Sequence, residues 1–109
     1  MAYDPVIADR LRQLLARRKN IAEKRMFGGV GFLLNGNMLV GVWKHWLIAR
    51  LGPAAAATAL QEPYVKEFDI TGRAMQGWVL IEPAGLVDDV ELREWVNRAA
   101  TFVKKLPAK

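Results

Sequence analysis

Apolar residues take helical spacing at the two ends of the chain and strand-like runs between them. Ile7, Leu11, Leu14 and Leu15 share one side of a helix, while Asp9, Gln13 and Arg17 take the other. Asp4 followed by Pro5 supplies a start, because the carboxylate accepts orphan amide hydrogens and proline suits the first helical position. The spacing predicts a helix over residues 5 to about 19. Near the other end, Leu92, Trp95, Val96, Ala99, Val103 and Leu106 form a second stripe. Asp88 with Glu91 makes an aspartate version of a capping box, Lys104 and Lys105 suit the C-terminal dipole, and Pro107 closes the helix.

The middle has no helical period. Residues 26–34 read as a strand entered through a glycine bend, and Asn35-Gly36 is a strong hairpin signal because both residues tolerate positive φ. Residues 37–43 return, Lys44-His45 turns again, and residues 46–51 complete a three-stranded meander ended by Gly52-Pro53. The alanine-rich stretch 54–60 favours a short helix, and Pro63 stops it. Residues 65–69 and 77–81 are two further strands joined by a loop with Thr71, Gly72 and Arg73. The expected architecture is α+β and two-layered: helix, three strands, helix, two strands, helix, with a five-stranded antiparallel sheet in one domain over residues 1–109.

Two-residue turns fix which side chains share a face. On that register Leu33, Met38, Val40, Val42, Leu47, Ala49 and Leu51 form an aliphatic side that suits helices. The other side carries Phe32, Leu39, Trp43, Trp46, Ile48 and Arg50, to which the last strand adds Trp78 and Leu80. A two-layer fold leaves that second side without a helical cover. An aromatic surface of this kind marks an interface, which makes Phe32, Trp43, Trp46, Arg50 and Trp78 candidate partner-binding residues and a homodimer the expected assembly. A bulge that reversed the parity, or a helix crossing over, would instead turn these aromatics into ordinary core.

Charge changes the picture at one end. Residues 1–25 hold seven basic side chains against three acidic ones, which is +4 of the net +5. Arg10, Arg17, Arg18, Lys19, Lys24 and Arg25 are therefore candidate phosphate contacts, and nucleic acid is the rival partner. The chain has no cysteine, no leader-like basic and apolar start, and no run of membrane-spanning length, so a cytoplasmic location with no membrane partner is expected.

The segment Arg25-Met26-Phe27-Gly28-Gly29-Val30-Gly31-Phe32, with Gly36 and Met38, the stretch from Phe68 through Gly72, Met75 and Gly77 to Trp78, and the ending from Trp95 to Pro107 resemble the TfoX/Sxy N-terminal domain. The resemblance covers nearly the whole chain. It implies a fold like that of secretion chaperones, with the helix-strand(3)-helix-strand(2)-helix order read above. The family's best-known members regulate natural competence and join this domain to a C-terminal one associated with DNA. With no such second domain in these 109 residues, the competence role is not carried over. Met26, Phe27, Gly28, Gly29, Gly31, Gly36, Gly72, Met75 and Gly77 are read as structural members of the motif.

Catalysis finds little to work with. Serine and cysteine are absent, so Thr58, Thr71 and Thr101 are the small hydroxyls and His45 the sole histidine, which rules out a nucleophilic triad. Asp88, Asp89 and Glu91 suit a helix start better than a metal, and Glu67 with Asp69 is a weak acid-base pair, Asp69 being better used in a bridge to Arg73. Gly28-Gly29-Val30-Gly31 lacks both the third spaced glycine of a dinucleotide fingerprint and the Gly-Lys-Ser/Thr of a phosphate loop. The expectation is a regulatory or adaptor domain, not an enzyme, with no cofactor; the alternatives are a nucleic-acid-binding module using the basic N-terminal helix, or an uncharacterised small-molecule binder.

Overall fold

Six strands and three helices follow one another in the computed structural model, which describes residues 3–26, 28–69, 72 and 75–109. The expectations that fall on Met1, Ala2, Phe27, Thr71 and Arg73, including the Asp69–Arg73 bridge, lie outside the described residues.

Helix α1 runs Pro5–Leu15, four residues shorter than expected. Asp4 opens it, its Oδ1 accepting from the amides of Val6 at 2.8 Å and Ile7 at 3.4 Å. Ile7, Ala8, Leu11 and Leu15 are its buried stripe, and Asn20 (φ 65°) turns the chain out. Strand β1 (Ile21–Met26) follows, between the expected helix and the strand expected over residues 26–34, where the apolar pattern predicts no element. Its four central residues are all exposed, so it lacks the alternation that betrays a half-buried strand; pairing with β2 (Gly29–Leu34) defines it. The sheet therefore has six strands, not five.

Asn35 (φ 54°) and Gly36 (φ 83°) make the expected hairpin into β3 (Asn37–Trp43), and Lys44 (φ 54°) leads to β4 (Trp46–Arg50) with Trp43 paired to Trp46. Helix α2 (Pro53–Ala59) precedes β5 (Val65–Glu67) and β6 (Trp78–Ile81). A 3-10 turn at Pro83–Leu86 leads to α3 (Asp89–Val103), where Asp88 caps the Val90 amide at 2.9 Å. The strand order is β1-β2-β3-β4-β6-β5 and every pairing is antiparallel.

The main core lies between the helices and one face of this sheet. Val30, Phe32, Val40, Val42, Leu47, Ala49, Val79 and Ile81 meet the stripes of α1 and α3 there, with Ala56 and Ala59 of α2. Two members contradict the expected parity. Phe32 pairs with Val40 and Leu33 with Met38, so Leu39 is an extra residue in β3 and the register shifts between Phe32 and Leu33. The bulge puts Phe32 and Leu39 in the helix-side core, 2% and 0% exposed, and moves Met38 to the opposite side. Phe32 is thus a core residue and leaves the candidate partner-binding set.

Candidate functional site

Beyond the bulge Trp43, Trp46 and Trp78 lie on one surface, with Arg50 at its margin between Trp78 and Phe102 of α3. Met38, Ile48, Phe68 and Leu80 form a second buried cluster on the face away from the helices, with Met26, Trp43, Trp46 and Trp78 half-buried around it. Among the described residues, no helix contributes to this cluster.

The strands set its texture. One cross-strand row runs Lys24, Gly31, Gly41, Ile48, Leu80, Lys66 from edge to edge. A Cβ on Gly31 would lie 2.9 Å from the sulphurs of both Met26 and Met38, and one on Gly41 would lie 2.8 Å from Met38 Cε and from the Val30 carbonyl oxygen. Glycine at these facing positions makes a hollow, and the two methionines fill it. Methionine is the apolar side chain that most readily reshapes to a partner.

The aromatic residues flank the hollow. The Trp78 ring lies 5.5 Å from Phe68 at a 39° tilt, and the Arg50 guanidinium sits 5.1 Å from Trp78 and 5.8 Å from Phe102 of α3. Arg50 is held by the protein's own rings. Trp43 and Trp46 close the hairpin end, with Lys44 Nζ 4.6 Å above the Trp43 ring. Beside them a groove of about 670 Å³ continues over Leu80 and Val65, past Leu60 at the end of α2, to Lys66, Glu67 and Asp69. Met38, Phe68, Lys44 and Lys66 were missed as members of this face. Phe68 and Lys66 were legible in part, since they sit two apart on one strand side, whereas Met38 was hidden by the bulge.

The hairpin tip is tied to the first helix. Asp4 N–H donates to the Lys44 carbonyl at 2.7 Å, and Asp4 Oδ2 lies 3.0 Å from His45 Nδ1. The hydrogen bond from His45 and the cap amides together hold the Asp4 carboxyl below the usual carboxylate range. His45 itself is exposed.

The six basic candidates do not make one helix face. Arg10 is on α1 and pairs with Asp89 at 2.9 Å; Arg17, Arg18 and Lys19 lie beyond the helix end, with Arg18 donating to Asn97; Lys24 and Arg25 are on β1. Alternation sends Lys24 to the tryptophan face and Arg25 to the helix side. Of the motif glycines, Gly29 is the most confined, its missing Cβ falling 2.1 Å from the Val42 oxygen, while Gly28, Gly36, Gly72 and Gly77 have φ of 73°, 83°, 91° and 89°. Met75 is exposed at the start of the turn into β6. Among the described residues, no group of three or more histidines or carboxylates is placed to hold a metal, and no helix is long and apolar enough to cross a membrane.

Three helices against a six-stranded antiparallel sheet, with an aromatic and methionine face on the sheet's far side, define an α+β domain. The family model of the TfoX N-terminal domain matches residues 13–103, and the chain belongs to that family. No curated protein and no solved structure matches the chain.

Proposed function

We propose that this chain is a non-catalytic, cytoplasmic regulatory or adaptor domain on a secretion-chaperone-like scaffold, acting through protein contacts on the helix-free sheet face and self-associating there. The observation that carries this reading is the placement of Trp43, Trp46 and Trp78 half-buried around Met26 and Met38, opposite the helical layer. Side chains of this size left partly in water are shielded best by another protein surface, and tryptophan is the residue type most enriched where such contacts are strongest. Membership of the TfoX N-terminal domain family supports a regulatory setting. The basic residues support nucleic acid less well, because they are split among a helix, a turn and both sides of a strand.

An affinity capture tests this. The wild-type chain and a Trp46→Ala/Trp78→Ala variant, matched for folding by circular dichroism, are immobilised and exposed to native cytoplasm. Specific proteins retained by the wild type and lost by the variant are the expected result. Equal retention by both, or salt-sensitive retention of nucleic acid alone, sinks the reading.

A further inference from the structure

We infer that the groove beside Trp43 and Trp46 is the seat of a second copy of this chain, docked face to face about a two-fold axis. The inference rests on the protein-contact reading above and assigns its nearest partner.

The groove carries both signs of charge around an apolar floor. Trp43, Trp46 and Leu80 supply the floor, Leu60 at the end of α2 and Val65 a wall, Lys44 and Lys66 two cations, and Glu67 and Asp69 two carboxylates where the groove wraps the β5 edge. A two-fold interface brings the same patch to both sides, so a patch works only if it complements itself. This one does. With the axis passing through the groove, the lysines of each copy meet the carboxylates of the other while the indoles cover one another. A nucleic acid would meet Glu67 and Asp69, and a peptide of either single sign would meet two like charges; both carry a penalty that the second copy escapes. Edge-to-edge joining through β5 is disfavoured as well. β5 is an edge strand of three residues, and antiparallel pairing centred on it sets Lys66 against the Lys66 of its copy.

Reversed-charge partners test it. Wild type, Lys44→Glu/Lys66→Glu and Glu67→Lys/Asp69→Lys are compared by sedimentation equilibrium at tens of micromolar, with circular dichroism as a check on folding. The wild type is expected at twice its 12.2 kDa mass. Each variant alone is expected to self-associate at least roughly tenfold more weakly, because every cross-pair becomes a like-charge contact. Mixing the two variants is expected to restore the dimer, since the altered charges again oppose one another. A monomeric wild type overturns the inference together with the self-association in the proposed function, and leaves the capture experiment to judge contacts with other proteins. A dimer unaffected by both variants, or two weakened variants that do not combine, overturns the groove as its seat.

Discussion

The two faces of the sheet bury side chains in different ways. On the helix side Phe32, Leu39, Val40, Val42, Leu47 and Ala49 are sealed to 2% exposure or less by the stripes of α1 and α3. On the far side the buried cluster among the described residues is Met38, Ile48, Phe68 and Leu80, covered by their own neighbours Met26, Trp43, Trp46 and Trp78, which stay half in water. Close packing of rigid aliphatics gives the first face its stability. The second is made of flexible methionines over glycine and of flat rings with one side free, a surface that gains by being covered and that tolerates adjustment. Stability and contact are thus assigned to opposite sides of the same six strands.

The largest expected effect breaks the first face. Phe32→Ala removes a fully buried ring from the junction of β2 with the helices and is expected to cost about 3–5 kcal/mol in urea unfolding. Trp46→Ala removes a half-buried ring and is expected to cost about 1–2 kcal/mol while weakening self-association. If Trp46→Ala unfolded the chain as severely as Phe32→Ala, the far face would be core and the proposed division between the faces would fail.

A second comparison lies within the far face. Gly31→Ala meets only the ends of the Met26 and Met38 side chains, which can swing aside, whereas Gly41→Ala also meets the Val30 carbonyl, which cannot. Gly41→Ala is expected to cost about 2 kcal/mol more than Gly31→Ala, the scale of a local strain fixed by backbone. Equal costs would show that the methionines are as firmly set as the backbone and would remove their adaptability from the account.

Periodicity and turn chemistry made much of this frame legible. The stripe of α1, its Asp4 cap, the Asn35-Gly36 and Lys44-His45 turns, and the Asp88 cap all rest on local rules that involve few residues, so they could be read directly. The two failures have a common cause. β1 is held by backbone pairing with exposed side chains, and the bulge at Leu39 shifts the register between Phe32 and Leu33; neither leaves a trace in apolar spacing. Parity counted through an unseen bulge placed Phe32 outside and Met38 inside, while Trp43, Trp46 and Trp78, beyond it, kept their side. The groove and its mixed charges needed β5 brought beside the tryptophan hairpin, a long-range fact that no spacing encodes.

The smallest expected effect concerns the tie between the tryptophan hairpin and α1. His45 and the α1 cap amides lower the Asp4 carboxyl, and Arg12, 2.8 Å away, lowers that of Glu23. A carboxyl whose folded value is depressed contributes stability that is present above its unfolded value near pH 4 and is lost as pH falls through the folded one. Both groups lie at the surface, where solvent screens them, so the contribution is about 1 kcal/mol or less in total. Asp4→Asn keeps an oxygen for the cap but removes the charge that His45 faces. It should therefore flatten part of the acid limb of the stability curve below about pH 4 while leaving the neutral value nearly unchanged. Tryptophan fluorescence followed across the same titration reads the hairpin directly: a shift in wild type that Asp4→Asn abolishes would tie the cap to the Trp43–Trp46 end of the far face, and identical titrations would show that the two faces respond to acid independently.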